Sequence, residues 1–121
     1  MKTAAVIVGR DDNYGENLHH RAKLCLNNLA KQFDKIFYVD WKTLNKTLTE
    51  SASIQNPKIS TISVSLDYIQ IKYPQYVNYP IVESIARNIG IRSAIDENYD
   101  WVLSTNIDCI MDDINFNDLS C

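Results

Sequence analysis

Three clusters of polar residues stand directly behind apolar, β-branched runs, and their side chains suit the handling of a phosphorylated ligand. They are Gly9-Arg10-Asp11-Asp12 after Ala4–Val8, Asp40-Trp41 after Ile36–Val39, and Ser104-Thr105-Asn106-Ile107-Asp108 after Trp101–Leu103. The Asp108 carboxylate and the Asn106 amide carbonyl are hard oxygen donors. They match Mg²⁺ or Mn²⁺, which keep several waters and take their other ligands from phosphate oxygens. With two histidines and three cysteines in the chain, zinc is disfavoured. His19 and His20 are adjacent, so a helix would turn them about 100° apart and deny them a shared metal face. Arg10 and Arg87 add positive charge suited to a base or a diphosphate. Neither G-x-G-x-x-G nor G-x-x-x-x-G-K-[ST] occurs, so backbone amides alone do not cradle a diphosphate and another counter-charge is needed.

These clusters require elements that bring them together. Ala4–Val8, closed by Gly9, reads as a strand buried on both faces of a parallel sheet. Leu18, Ala22, Cys25, Leu26, Leu29 and Phe33 form a helical stripe, with Asn13 and Glu16 spaced as a capping box. Ile36–Val39 is a second strand, completing a unit that should be right-handed and parallel. The spacing predicts a short helix over 43–51, a third strand over 59–64, an ordered loop over 66–78 and a helix opening at Pro80. Trp101–Leu103 is the last strand. Within the loop, Tyr68, Tyr73 and Tyr76 serve packing or a ligand wall. The alternation implies an α/β fold with a mainly parallel open sheet. If the last strand lies beside the first, the order reverses there, and ligands bind at such a switch point beyond the carboxyl ends of the strands.

The residues carry a family resemblance. Ile7-Val8-Gly9-Arg10-Asp11-Asp12-Asn13-Tyr14-Gly15, then Tyr38-Val39-Asp40-Trp41, then Ala86-Arg87-Asn88-Ile89-Gly90-Ile91-Arg92-Ser93-Ala94, then Trp101-Val102-Leu103-Ser104-Thr105-Asn106-Ile107-Asp108 stand in the order seen in GT-A fold glycosyltransferases. The whole chain resembles the nucleotide-sugar-binding half of the family-2-like transferases. That resemblance implies helices on both faces of the sheet, a single domain over 1–121, and a nucleoside-diphosphate sugar as donor. Asn106-Ile107-Asp108 takes the place of the D-x-D motif in a T-N-x-D variant, which makes Asp108 the implied ligand of Mn²⁺ or Mg²⁺. Such a metal neutralises charge on the departing nucleoside diphosphate. The resemblance further implies donor contacts from Gly9, Arg10, Asp40, Arg87, Asn88 and Asn106, with Asp40 accepting from the base or ribose. Each has an ordinary reading too. Asp108 suits a turn, Asp40 a helix cap, Arg87 a solvated helix face, and Asn88 a hydrogen bond between helix and loop. Gly90 reads as structural.

The implied reaction is sugar transfer to an acceptor that is a glycan, lipid or protein. In the family, the acceptor site and any general base lie downstream of the D-x-D strand, and this chain runs only thirteen residues beyond Asp108. No catalytic base is identifiable, so the expectation is a truncated copy or one fragment of a longer gene product. The alternatives are a sugar-nucleotide-binding module without catalysis and a scaffold. Composition sets the remaining bounds. The 121 residues, 45% apolar and 22% charged, describe one folded domain that buries roughly two-thirds of its unfolded surface. A net charge of −3 recruits neither nucleic acid nor an anionic membrane. The odd cysteine count and lack of a signal-like or membrane-spanning run favour a cytoplasmic protein. An exposed sheet edge would favour a homo-oligomer.

Overall fold

The computed structural model describes residues 1–13, 16–107 and 114–116. At its centre is β1 (Thr3–Gly9), in which every residue is buried. Its unbroken apolar run is explained by its neighbours: it pairs in parallel with β2 (Lys35–Thr43) on one side and β4 (Trp101–Asn106) on the other, and helices cover both of its faces. With β3 (Ile59–Ser65) on the far side of β2, the four-stranded sheet has the order β3-β2-β1-β4, all parallel.

One face carries Ala5, Ile7, Ile36 and Tyr38 against the stripe of α1 (Leu18–Gln32), formed by Leu18, Ala22, Cys25, Leu26 and Leu29. Each fully buried leucine there contributes on the order of 1.5–3 kcal/mol relative to an exposed one. The alternate residues of the same strands, Val8, Val39 and Trp41 together with Ala4, Val6 and Phe37, face the other helix layer. That layer contains α3 (Leu66–Lys72) and α4 (Glu83–Asp96). Ala86, Gly90 and Ala94 are the buried residues of α4. Four-residue spacing puts them on one face, and their small size lets the helix sit close to the sheet. A Cβ at Gly90 would collide with Cγ1 of Val6 and lie 3.0 Å from Cγ2 of Val39.

From β1 through β3 the chain steps outward in one direction, then crosses the sheet over the opposite face to place β4 beside β1. Right-handed crossovers require that change of face when the direction reverses. The expected switch point therefore lies between β1 and β4, and the helix layers lie on both faces, as the resemblance implied.

Local details differ from the sequence reading. Residues 66–78 are not a loop: Ser65 caps α3 by accepting from the Tyr68 amide at 3.1 Å, and a 3₁₀ turn, Pro74–Tyr76, follows. The apolar period failed to reveal α3 because Ile69 is its buried residue, whereas Ile71 is 84% exposed. The following helix begins at Glu83, not at Pro80. The helix over 43–51 shrinks to α2 (Leu48–Ser51), held by a capping box between Thr47 and Glu50. Strand β2 takes the preceding residues because a bulge at Lys42, whose φ is 56°, carries pairing on to Thr43. The capping box at Asn13 and Glu16 does not form. Instead α1 starts at Leu18, whose amide donates to Asn13 Oδ1 at 3.2 Å. Strand β4 extends to Asn106 and is half-buried, as befits an edge.

Candidate functional site

Strand register fixes the geometry of the crevice. Gly9 pairs with Asp40 across β1 and β2, and Val8 pairs with Asn106 across β1 and β4. The carboxyl ends of three strands thus lie at one level, and Gly9, Asp40 and Asn106 come together there. Gly9 has a packing task at this level. A Cβ on it would lie 3.0 Å from the Tyr38 hydroxyl oxygen and 3.1 Å from Tyr38 Cε2, so its hydrogen leaves room for that ring.

Asp40 forms the floor. Tyr38 donates its hydroxyl to Oδ2 at 2.9 Å, Thr43 donates to Oδ1 at 2.5 Å, and the Leu48 amide donates to Oδ2 at 2.8 Å. Tyr38 reaches it because residues two apart on a strand share a face. The carboxylate is buried, with the residue 1% exposed, so in this conformation its oxygens serve the protein and not a ligand. It anchors the start of α2, which is the helix-capping role that the sequence allowed. Burial raises the Asp40 carboxyl above its ordinary value, against the lowering effect of the three donors. The Tyr38 phenol is pushed up chiefly by burial, with the Asp40 charge adding to it.

Arg87 projects from α4 to the end of β4. Its Nη1 donates to Ser104 Oγ at 2.8 Å and to the Thr105 carbonyl at 3.1 Å, and its Nη2 donates to Asn106 Oδ1 at 2.6 Å. The exposed Glu83 carboxylate, 3.6 Å from Nη2, adds little. The guanidinium thus fixes the Asn106 amide that occupies the first D-x-D position, and it places a permanent positive charge on the crevice rim. Asn88, one residue on, is turned away. It lines a separate groove with Tyr68, Tyr73 and Arg92 between α3 and α4. Arg10 lies on the β1 side and donates to the Pro80 carbonyl at 3.2 Å. It shares a cavity of about 420 Å³ with Asp11, Asp40, Lys42, Thr43 and Lys46. Asp11 is bonded to His19 Nε2 at 2.7 Å.

Asp108, the implied metal ligand, lies outside the described residues, as do Tyr14 and Gly15 of the first segment. Among the described residues, no three of His, Cys, Asp and Glu gather around a common point. The Asn106 oxygen that would help a divalent cation instead faces a guanidinium, which would repel the ion. A divalent cation there would therefore depend on Asp108 and on phosphate oxygens for its ligands. Sequence reasoning missed Thr43 and Lys42 as parts of the crevice. A hydroxyl three residues after Asp40 was a usable signal, whereas the bulge that redirects Lys42 has no marker in a Trp-Lys-Thr triplet. No protein-family model matches the chain, and no curated protein matches it.

Proposed function

We propose that this chain is a glycosyltransferase-like domain that holds a nucleoside-diphosphate sugar across the carboxyl ends of β1, β2 and β4. The observation that carries the reading is the level crevice at the switch point, rimmed by Arg10 on one side and Arg87 on the other. The two guanidiniums set positive charge on either side of a bound diphosphate. Arg87 is already immobilised by β4, so little side-chain entropy is lost when it meets an anion. Asp40 acts beneath the ligand by fixing Tyr38, Thr43 and the start of α2. The transfer step, to a glycan, lipid or protein acceptor, rests on the resemblance of the four segments. The role of Mn²⁺ or Mg²⁺ at Asp108 rests on it as well.

Calorimetry with a panel of sugar nucleotides, with and without Mn²⁺, tests the proposal. Metal-dependent binding of one donor, lost in Asp108→Ala, is the expected result. Failure to bind any donor refutes it. A second reading, donor binding without transfer, is favoured by one observation: Asp40, the buried carboxylate of the cavity, has both oxygens engaged from within. A general base needs a lone pair facing the proton it removes. Binding accompanied by neither donor hydrolysis nor transfer would select this second reading.

A further inference from the structure

Lys42 is the residue at which β2 leaves regular geometry. Its φ of 56° is left-handed, a conformation strained for a residue with a Cβ, and the β2–β3 register shifts between Trp41 and Thr43. A bulge re-aims the side chain it carries. Here Lys42 lines the same cavity as Arg10. Neither residue makes an ion pair among the described residues. Both oxygens of Asp40 are taken from within and Asp11 Oδ1 is bonded to His19, so among the described residues neither carboxylate pairs with Arg10 or Lys42. The ammonium of Lys42 is held below its ordinary range, first by desolvation and then by the charge of Arg10. Arg10, Lys42 and Lys46 line one cavity, and like charges gathered there are a disposition that a bound oxyanion would relieve.

We infer that Arg10 and Lys42 form an oxyanion site at the β1–β2 end of the crevice, one that takes a phosphate group without a divalent cation. It lies on the opposite side of β1 from Asn106 and Arg87, and it does not depend on the donor assignment.

The test is a titration of the full chain with inorganic phosphate in excess EDTA, followed by backbone amide shifts. The expected result is saturable shifts centred on residues 9–12 and 41–46. Affinity should fall about tenfold or more in Lys42→Gly and in Arg10→Ala, the scale of one lost charge-assisted hydrogen bond. Glycine accepts the left-handed φ at position 42, so Lys42→Gly removes the charge without straining the fold. Affinity that is unchanged in both variants, or shifts centred elsewhere, overturns the inference. A parallel titration with a nucleoside monophosphate assigns the source. Much tighter binding than inorganic phosphate makes the site part of a nucleotide pocket, and equal binding makes it a site for free phosphate. Asp108→Ala retains phosphate binding under this inference, which separates its failure from that of the metal-dependent donor reading.

Discussion

Replacing Asp40 by alanine would remove the acceptor shared by three donors beneath the crevice. Thr43 keeps an alternative, because its hydroxyl also donates to the Asp40 backbone carbonyl at 3.1 Å. The Tyr38 hydroxyl and the Leu48 amide belong to fully buried residues and lose the partner that holds each of them. A buried donor left unsatisfied costs about 1–3 kcal/mol, so Asp40→Ala should lose roughly 2–6 kcal/mol. That is a large share of the ~5–15 kcal/mol typical of a domain. Asp40→Asn should behave quite differently. Its carbonyl can accept from Tyr38 and Leu48, and its amide can donate to the Thr43 oxygen, so the loss should be about 1 kcal/mol or less. The two variants also separate by pH. Because the folded carboxyl titrates above its ordinary value of 3.8, the folded state binds the proton more tightly than the unfolded chain does. The contribution of Asp40 to stability is therefore fully present below that ordinary value and is lost as pH rises through the raised one. Urea denaturation across this window should show wild type losing stability relative to Asp40→Asn as pH rises. An Asp40→Ala variant within about 1 kcal/mol of wild type, or an Asp40→Asn variant equally damaged, would refute the reasoning.

Three other outcomes follow from the packing. Gly90→Ala gains about 1 kcal/mol of helix propensity, yet overpacking against Val6 and Val39 costs about 1–3 kcal/mol, so a net loss is expected in urea denaturation. Stabilisation by the full propensity gain would contradict the close approach of α4. Arg87→Ala should lose roughly 1–3 kcal/mol and expose the amides of residues 104–106 to faster hydrogen exchange, with Arg87→Lys falling between because it lacks the fork. Unchanged exchange there would mean that Arg87 does not hold β4. Among the described residues, Trp41 Nε1 is the buried side-chain donor without a partner. Relief of that unpaired group should keep the cost of Trp41→Phe to about 1 kcal/mol in thermal melts, well under the ~3–5 kcal/mol of a large core truncation.

The central architecture was legible because it is written in burial. Ala4–Val8 is apolar at every position since helices cover both faces of β1, and the α1 stripe from Leu18 to Phe33 follows the helical period. Strand ends could be read from the residues that stop the apolar runs, and those ends do meet at Gly9, Asp40 and Asn106. Elements fixed by a single contact were not legible. Strand β2 continues past Asp40 because of a bulge, and α3 rests on Ile69 alone among its buried residues. Likewise the small faces of Ala86, Gly90 and Ala94, and not the neighbouring isoleucines, form the closest seam of α4. What the site residues do to one another also lay beyond the sequence. The engagement of Asp40 by Tyr38, and of Asn106 by Arg87, depends on neighbours far apart in the chain or hidden by strand alternation.

The most direct measurement is a map of backbone amide shifts in the full chain on titration with a uridine- or guanosine-diphosphate sugar in the presence of Mn²⁺. Shifts concentrated at residues 9–12, 40–43 and 104–107 are the predicted result, since these three segments end neighbouring strands at one level of the sheet. Shifts gathered on the outer face of α1 or in the groove between α3 and α4, with the strand ends silent, would contradict the account.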